Sequence, residues 1–349
     1  MKTDHIIIMR FSAMGDVAMT VPVVFALAHQ YPKLRISVLS RPFARAFFQN
    51  LPDNVEFMEA DLKNEYKGIH GLNKLYRRLL AKHPTHVADF HNVLRTRYLR
   101  FRFNFDRFKT AHIDKHKLGK RKLCRKNNKS FVQQPTSFQN YMDVLEQLGY
   151  PIQPDFKSIF TNGGNDIQTL PNIIGVKNEG ETWLGIAPFA AHEGKMYPLE
   201  KMEETVRLLT VEHQHLRIFL FGGGSQEKEI LNSWATKYKG CLCASSVLHG
   251  LSEELILMSH LDVMISMDSA NMHLASLVGT RVVSIWGATH PYCGFLGWKQ
   301  SSDDAVQNNQ LSCRPCSVFG NKPCHRGDFA CMNTIEPTDI VSRLKLNNE

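Results

Sequence analysis

Apolar residues in this chain come in short unbroken runs, not in strict alternation with polar ones. His5 to Arg10, Arg35 to Ser40, Val55 to Ala60 and His86 to Phe90 are such runs. They predict strands buried on both faces. Longer stretches between and after them, Val17 to Gln30 (ending before Pro32), Asn73 to Lys82 and Phe138 to Leu148, predict helices. Gly149 supplies a natural stop for the last of these. The pattern breaks over residues 151–180, where "PIQPDF", "TNGGND" and "PNIIG" gather Pro, Gly, Asn and Asp. It then restarts. Trp183 to Ala187, the strand that runs into a glycine loop in "LRIFLFGGGS", Asp262 to Ser266 and "RVVSIWG" predict strands. Leu199 to Glu212 behind Pro198, Gln226 to Lys237, Ser252 to His260 and Asn271 to Val278 closed by Gly279 predict helices.

Repeated strand–helix units imply parallel sheets with right-handed crossovers, covered on both faces. The expected fold is α/β, with two Rossmann-like domains whose parallel sheets face each other across a cleft. Residues 1–165 form the first domain and 166–349 the second, and the final helix is a candidate to pack back on the first. In such sheets ligands sit beyond the carboxyl ends of the strands, so the strand-to-helix loops are where chemistry is expected.

Composition changes this picture in three places. The chain of 349 residues is 43% hydrophobic and 21% charged, as in a globular protein of two ordinary domains. Its best candidate for a membrane span, Val17 to Ala28, is short of the roughly 20 residues required and contains Thr20 and Pro22. No basic start, long apolar centre and cleavage site mark a signal peptide, so a cytoplasmic protein is expected.

Second, the net charge of +9 is localised. Residues 95–129 hold 14 Lys or Arg against two acids, and the remainder of the chain is net −3. Tyr98, Phe101, Phe103, Phe105 and Phe108 interleave with Arg95, Arg97, Arg100 and Arg102. This reads either as a patch facing anionic lipid or a phosphorylated acceptor, or as a helix with aromatics inward and charges outward. No helix-turn-helix, finger or RNA-platform signature accompanies it, and no nucleic-acid partner is expected. Third, Cys313, Cys316, Cys324 and Cys331 fall as C-x2-C-x7-C-x6-C. They fit either a structural zinc quartet or buried thiols in a compact loop.

Four loops carry candidate chemistry. "RFSAMGDVAMTVP" brings Asp16 to a helix start after small residues. It lacks both the dinucleotide glycine fingerprint and the phosphate loop's Gly-Lys-Ser/Thr. Taken alone, Asp16 reads as an N-cap acid worth about 1 kcal/mol. "APFAAHEGKMYP" places Lys195 in a polar turn, where it can neutralise a phosphate. "FGGGSQEKE" offers close backbone approach, Ser225 as a cap, and Glu227 for a ribose. "ISMDSANMHLASLVGT" delivers Asp268, Ser269, Ala270 and Asn271 to a helix N-terminus, with His273 in the first turn. Free N–H groups there suit a diphosphate. A cap for Asp268 and a core position for His273 are the plainer alternatives.

"RFSAMGDVAMTVP" and "MDSANMHLASLVGTRVVSIWGATHP" resemble the N-terminal and donor-binding motifs of glycosyltransferase family 9, the ADP-heptose:lipopolysaccharide heptosyltransferases. "GKMYP" resembles that family's Lys-x-Trp-Pro turn, with Tyr197 in place of Trp, and the late cysteines resemble a cluster in many members. The resemblance implies a GT-B architecture, with acceptor in the first domain and nucleotide sugar in the second. It implies an inverting transfer without a bound metal or cofactor, an ADP-sugar donor, and an anionic lipid-linked saccharide acceptor at the inner-membrane surface. Asp16 would be the general base. Lys195, Ser269, Ala270, Asn271 and His273 would hold the donor phosphates, and Glu227 and Asp268 its nucleotide or sugar. Ala270 stands where the family has glycine. Two other classes stay open at this point: a nucleotide-sugar 2-epimerase of the same architecture, and a non-enzymatic basic module binding membrane or nucleic acid.

Overall fold

The computed structural model describes residues 3–346. The chain divides into two compact units, residues 1–115 with 136–162, and residues 116–135 with 163–349. This differs from the expected 1–165 and 166–349 in one respect of substance. Residues 116–135, which include the last 14 residues of the basic segment, leave the first unit and group with the second.

In unit 1 the strands are β1 (His5–Met9), β2 (Arg35–Ser40), β3 (Val55–Glu59), β4 (His86–Asp89) and β5 (Lys109–His112). The helices are α1 (Met14–Ala18), α2 (Val21–Gln30), α3 (Gly68–Leu80), α4 (Leu94–Phe105) and, after the excursion helix α5 (Lys117–Leu123), α6 (Ser137–Gln147). All pairings are parallel and the order is β3-β2-β1-β4-β5. Every residue of β1 is buried, as its unbroken apolar run requires of a central strand. Ile7, Met9, Leu39, Val87, Leu75, Leu79, Leu99 and Phe103 form a core between sheet and helices. The single helix expected over Val17 to Gln30 is instead two, α1 and α2. Pro22 lies in the first turn of α2, where its missing N–H costs nothing, and Thr20 Oγ1 donates to the Val17 carbonyl at the break.

In unit 2 the strands are β6 (Thr182–Ala187), β7 (Leu216–Leu220), β8 (Cys241–Cys243), β9 (Val263–Met267), β10 (Arg281–Ile285) and β11 (Ala305–Val306). The helices are α7 (Leu199–Glu212), α8 (Ser225–Lys237), α9 (Ala244–Val247), α10 (Leu251–Ser259), α11 (Ala270–Leu277), α12 (Ala330–Asn333) and α13 (Pro337–Leu344). The sheet is again parallel, in the order β11-β10-β9-β6-β7-β8. The last helix, the candidate to pack on the first domain, belongs to this unit's own core. α13 packs on α7, β10 and β11 of its own unit, burying Ile340 and Leu344 in that core.

Numbered within each unit, both sheets run 3-2-1-4-5, with a sixth strand in unit 2. Chain direction across the sheet reverses between the first and fourth strands. In an open parallel sheet that reversal splays the two loops apart and leaves a crevice at the carboxyl ends. The loops after β1 and β4, and those after β6 and β9, are therefore the positions to inspect.

Candidate active site

In unit 1 the loop after β1 turns directly into α1. Asp16 is the third residue of that helix, not its cap; Ala13 holds the cap position and has no side chain to serve it. The Asp16 carboxylate reaches back instead. Its Oδ2 accepts the Ala13 N–H at 3.1 Å and lies 2.7 Å from Arg10 Nη2. Arg10 leaves the end of β1 almost fully buried and also donates to the Phe90 carbonyl at 2.7 Å. Burial works against its charge, but Tyr141 and Asp16 outweigh this and raise its pKa. Tyr141, from α6, stacks on Phe90 and donates its hydroxyl to the Asp16 carbonyl at 3.1 Å. The carboxylate that the sequence singled out is thus held by Arg10 and the Ala13 N–H, its backbone is anchored by Tyr141 of α6, and its side chain stays 30% exposed.

β4 contributes what the sequence reading missed. Asp89, fully buried, accepts the His91 and Asn92 N–H groups at 3.0 and 2.7 Å and pairs with Arg100 at 2.9 Å. This shapes the turn that brings His91 Nε2 to 3.4 Å from Ser12 Oγ. His91 Nδ1 is buried without a partner. Burial, with Arg10 and Lys115 adding repulsion, pushes the His91 pKa down to about 3. It is therefore a neutral imidazole beside Asp16. "ADFHN" follows a buried strand as the other candidate loops do, and that position was the signal available.

The expected arginine patch divides. Arg95 and Arg97 are exposed on α4. Arg100 is committed to Asp89, and Arg102 donates to Asn73 and lies over the Tyr76 ring at 4.6 Å. Those two are half-buried supports of the fold, not an outward surface.

In unit 2 the loops after β6, β9 and β10 converge because those strands are neighbours. Lys195 ends a tight turn, Glu193–Lys195, and its Nζ lies 2.9 Å from Asp268 Oδ2 just beyond β9. Asp268 is 3% exposed and Lys195 16%. The turn is held to the β10 loop by the Ala288 N–H donating to the Gly194 carbonyl at 2.8 Å. It passes so close to Gly320 (φ +74°) that a Cβ there would meet Lys195 Cγ at 2.6 Å. Arg314, buried, donates to the Trp286, Gly287 and Thr289 carbonyls and fixes the same β10 loop.

Ser269 holds the cap position of α11 in extended backbone, and its side chain makes no capping hydrogen bond. Ala270 is its first helical residue and is absent from the described residues with positive φ, so alanine in place of glycine costs no backbone strain. Asn271 follows in the same turn, and His273 is buried one turn in. Asp268, Lys195 and the α11 N-terminus thus stand together, as the sequence expected. Two details of the glycine loop differ. Gly224, not Ser225, holds the cap position of α8, and Glu227 Oε2 accepts the Gly223 N–H at 2.5 Å. Glu227 is at least in part a brace for its own loop.

The excursion 116–135 lies along the β10 loop. Phe131 packs against His290 and Tyr292, the Gln134 N–H donates to the Tyr292 carbonyl, and buried Lys120 sits 4.2 Å above the Phe295 ring. Lys129 Nζ donates to the Cys313 and Pro315 carbonyls at 2.7 and 2.6 Å. Much of the basic segment is therefore a tether inside unit 2. Cys313, Cys316, Cys324 and Cys331 are free thiols. Among the described residues no three His, Cys, Asp or Glu side chains gather as a metal site.

Against known proteins, the model of glycosyltransferase family 9 (heptosyltransferase) matches residues 72–323. Lipooligosaccharide heptosyltransferase 2 of Campylobacter jejuni subsp. jejuni serotype O:6 is 22% identical over 344 residues, covering 95% of each chain. A family 9 glycosyltransferase from Veillonella parvula superposes with a TM-score of 0.71 at 17% identity, over 98% of this chain and 97% of that one. E. coli ADP-heptose lps heptosyltransferase II does so at 0.66 and 15%, over the same shares. At such identities these two likenesses speak for the fold. The family pattern itself spans most of the chain and includes the loops of Lys195, Asp268 and His273, so the chain belongs to glycosyltransferase family 9, the heptosyltransferases.

Proposed function

We propose that this glycosyltransferase moves heptose from an ADP-sugar to the inner core of lipopolysaccharide, with inversion at the anomeric carbon. One observation carries the reading. At the strand-reversal position of unit 1 a carboxylate, Asp16, is oriented by two donors, and the equivalent loops of unit 2 assemble Lys195, Asp268 and an uncapped helix N-terminus. In the proposed step Asp16 takes the proton of an acceptor hydroxyl while that oxygen bonds to the anomeric carbon. The bond from that carbon to the diphosphate breaks, and ADP leaves with the electron pair. Lys195 and the N–H groups of Ala270 and Asn271 offset the charge growing on the diphosphate, work that a divalent cation does elsewhere. His273 supports this turn, and Asp268 orients Lys195 until the donor arrives. Glu227 keeps the glycine loop in shape beside the nucleotide.

The acceptor is anionic and lipid-linked, which accords with exposed Arg95 and Arg97 and places the enzyme at the cytoplasmic face of the inner membrane. Family membership disfavours the 2-epimerase and the non-enzymatic module. The test is a donor screen by mass spectrometry with purified lipid acceptor, run in chelator. Heptose transfer from the ADP-sugar is the expected result. Transfer only from another sugar nucleotide, or sugar isomerisation without acceptor, would overturn the proposal.

A further inference from the structure

α4 is apolar on two opposite faces. Thr96, Leu99 and Phe103 are buried against the unit 1 core. At about 100° per residue, Leu94, Phe101 and Phe105 fall within about 40° of one another on the far side. They are 84%, 65% and 77% exposed. The stripe they make is about 16 Å long. An isolated exposed leucine needs no explanation, but three large apolar side chains in register on one helix do.

What borders the stripe identifies its partner. Arg97 lies on one side and Arg95 on the other, both exposed, and Arg107 and Lys109 continue the positive charge past the helix end. The nearest acid at that end, Asp106, is engaged by the Tyr76 hydroxyl. Apolar residues flanked by arginines are the pattern of a helix lying in a bilayer interface, with its apolar stripe among the acyl chains and cations at the headgroups. A second copy of this chain would bring the same cations against each other, which disfavours self-association through this face.

We propose that α4 is the membrane-docking element, seating Leu94, Phe101 and Phe105 in an anionic bilayer surface with Arg95 and Arg97 at the headgroups. This rests on the peripheral location proposed above and names the surface responsible for it. Docking here holds unit 1 at the plane in which a lipid-linked acceptor is presented.

The test uses the full chain and vesicles of phosphatidylethanolamine with phosphatidylglycerol, against phosphatidylcholine alone. The wild type is expected to float with the anionic vesicles and to be released by salt. The triple variant Leu94→Ser, Phe101→Ser, Phe105→Ser should lose binding by about tenfold or more, while turnover of a delipidated, water-soluble acceptor is unchanged. In Phe101→Trp, emission should shift to the blue on anionic vesicles only. A wild type that binds no vesicle overturns the peripheral location itself. A wild type that binds while the triple variant binds equally well overturns the assignment to α4 alone. A concentration-dependent dimer that the triple variant abolishes would show a second copy as the occupant, which also overturns it.

Discussion

Arg10 and His91 set the electrostatics around Asp16. Both are buried, yet one is a fixed cation and the other a neutral ring. Arg10→Gln removes the charge that favours an ionised carboxylate, so the acid limb of kcat against pH should move up by about one unit or more. An unmoved limb would show that Arg10 serves packing alone. Asp16→Asn should lower kcat by about 10²- to 10⁴-fold while ADP affinity by calorimetry is retained. Near wild-type turnover would remove Asp16 from the base role. His91 affects stability. Its folded pKa of about 3 lies below the roughly 6.5 of an unfolded histidine. The neutral form is favoured in the fold, so its contribution is complete above about pH 6.5 and is lost as pH falls toward 3. At pH 5 the loss is about 2 kcal/mol. His290, pushed down to about 4, acts in the same sense. Urea unfolding of His91→Gln at pH 7 and 5 should show a smaller drop than the wild type; an equal drop would exclude His91 as a source.

Among the elements, the central strands were legible because they are buried on both sides and read as unbroken apolar runs. β5, "KTAH", and β8, "CLC", were not, since each is a short edge strand with exposed or half-buried positions. β11, "AV", is buried but too short to leave a pattern. The site loops were legible from their position after strands and their small residues. His91 escaped because its loop holds bulky residues and no glycine. The division of labour among the four arginines of α4 also escaped, because only their partners Asp89, Asn73 and Tyr76 separate support from surface. One element-scale consequence is open to measurement. Gly320 admits the Lys195 stem, and a Cβ there meets Cγ, Cε and Cδ of that side chain. Gly320→Ala, strained also by its positive φ, should displace Lys195 and weaken donor binding by about tenfold. Unchanged donor affinity would mean that Lys195 does not hold the donor.

At the scale of the whole molecule, the basic excess that suggested one continuous surface is divided between two roles. α4 stays with unit 1, while residues 116–135 join unit 2 through Lys120, Lys129 and Phe131. Charge counting could not separate these, since a lysine over a phenyl ring and a lysine in water look alike in sequence. Lys129→Met removes two charge-assisted hydrogen bonds to backbone carbonyls and should destabilise the protein by about 1–3 kcal/mol. It should also open the 124–131 stretch to limited proteolysis, and an unchanged digestion pattern would count against its role as a tether.

The excursion also bears on how such a chain is synthesised and recombined. Residues 116–135 leave the ribosome long before residues 287–315, the segment on which they dock, so unit 1 closes around a loop that has no partner until most of unit 2 exists. For the same reason the two halves are not interchangeable modules. A chimaera joined once, near residue 163, pairs one parent's tether with another parent's docking loop. Carrying residues 116–135 across with unit 2 requires three junctions, and the gain in refolding yield over the single-junction hybrid measures how far the tether makes the two units one inheritance.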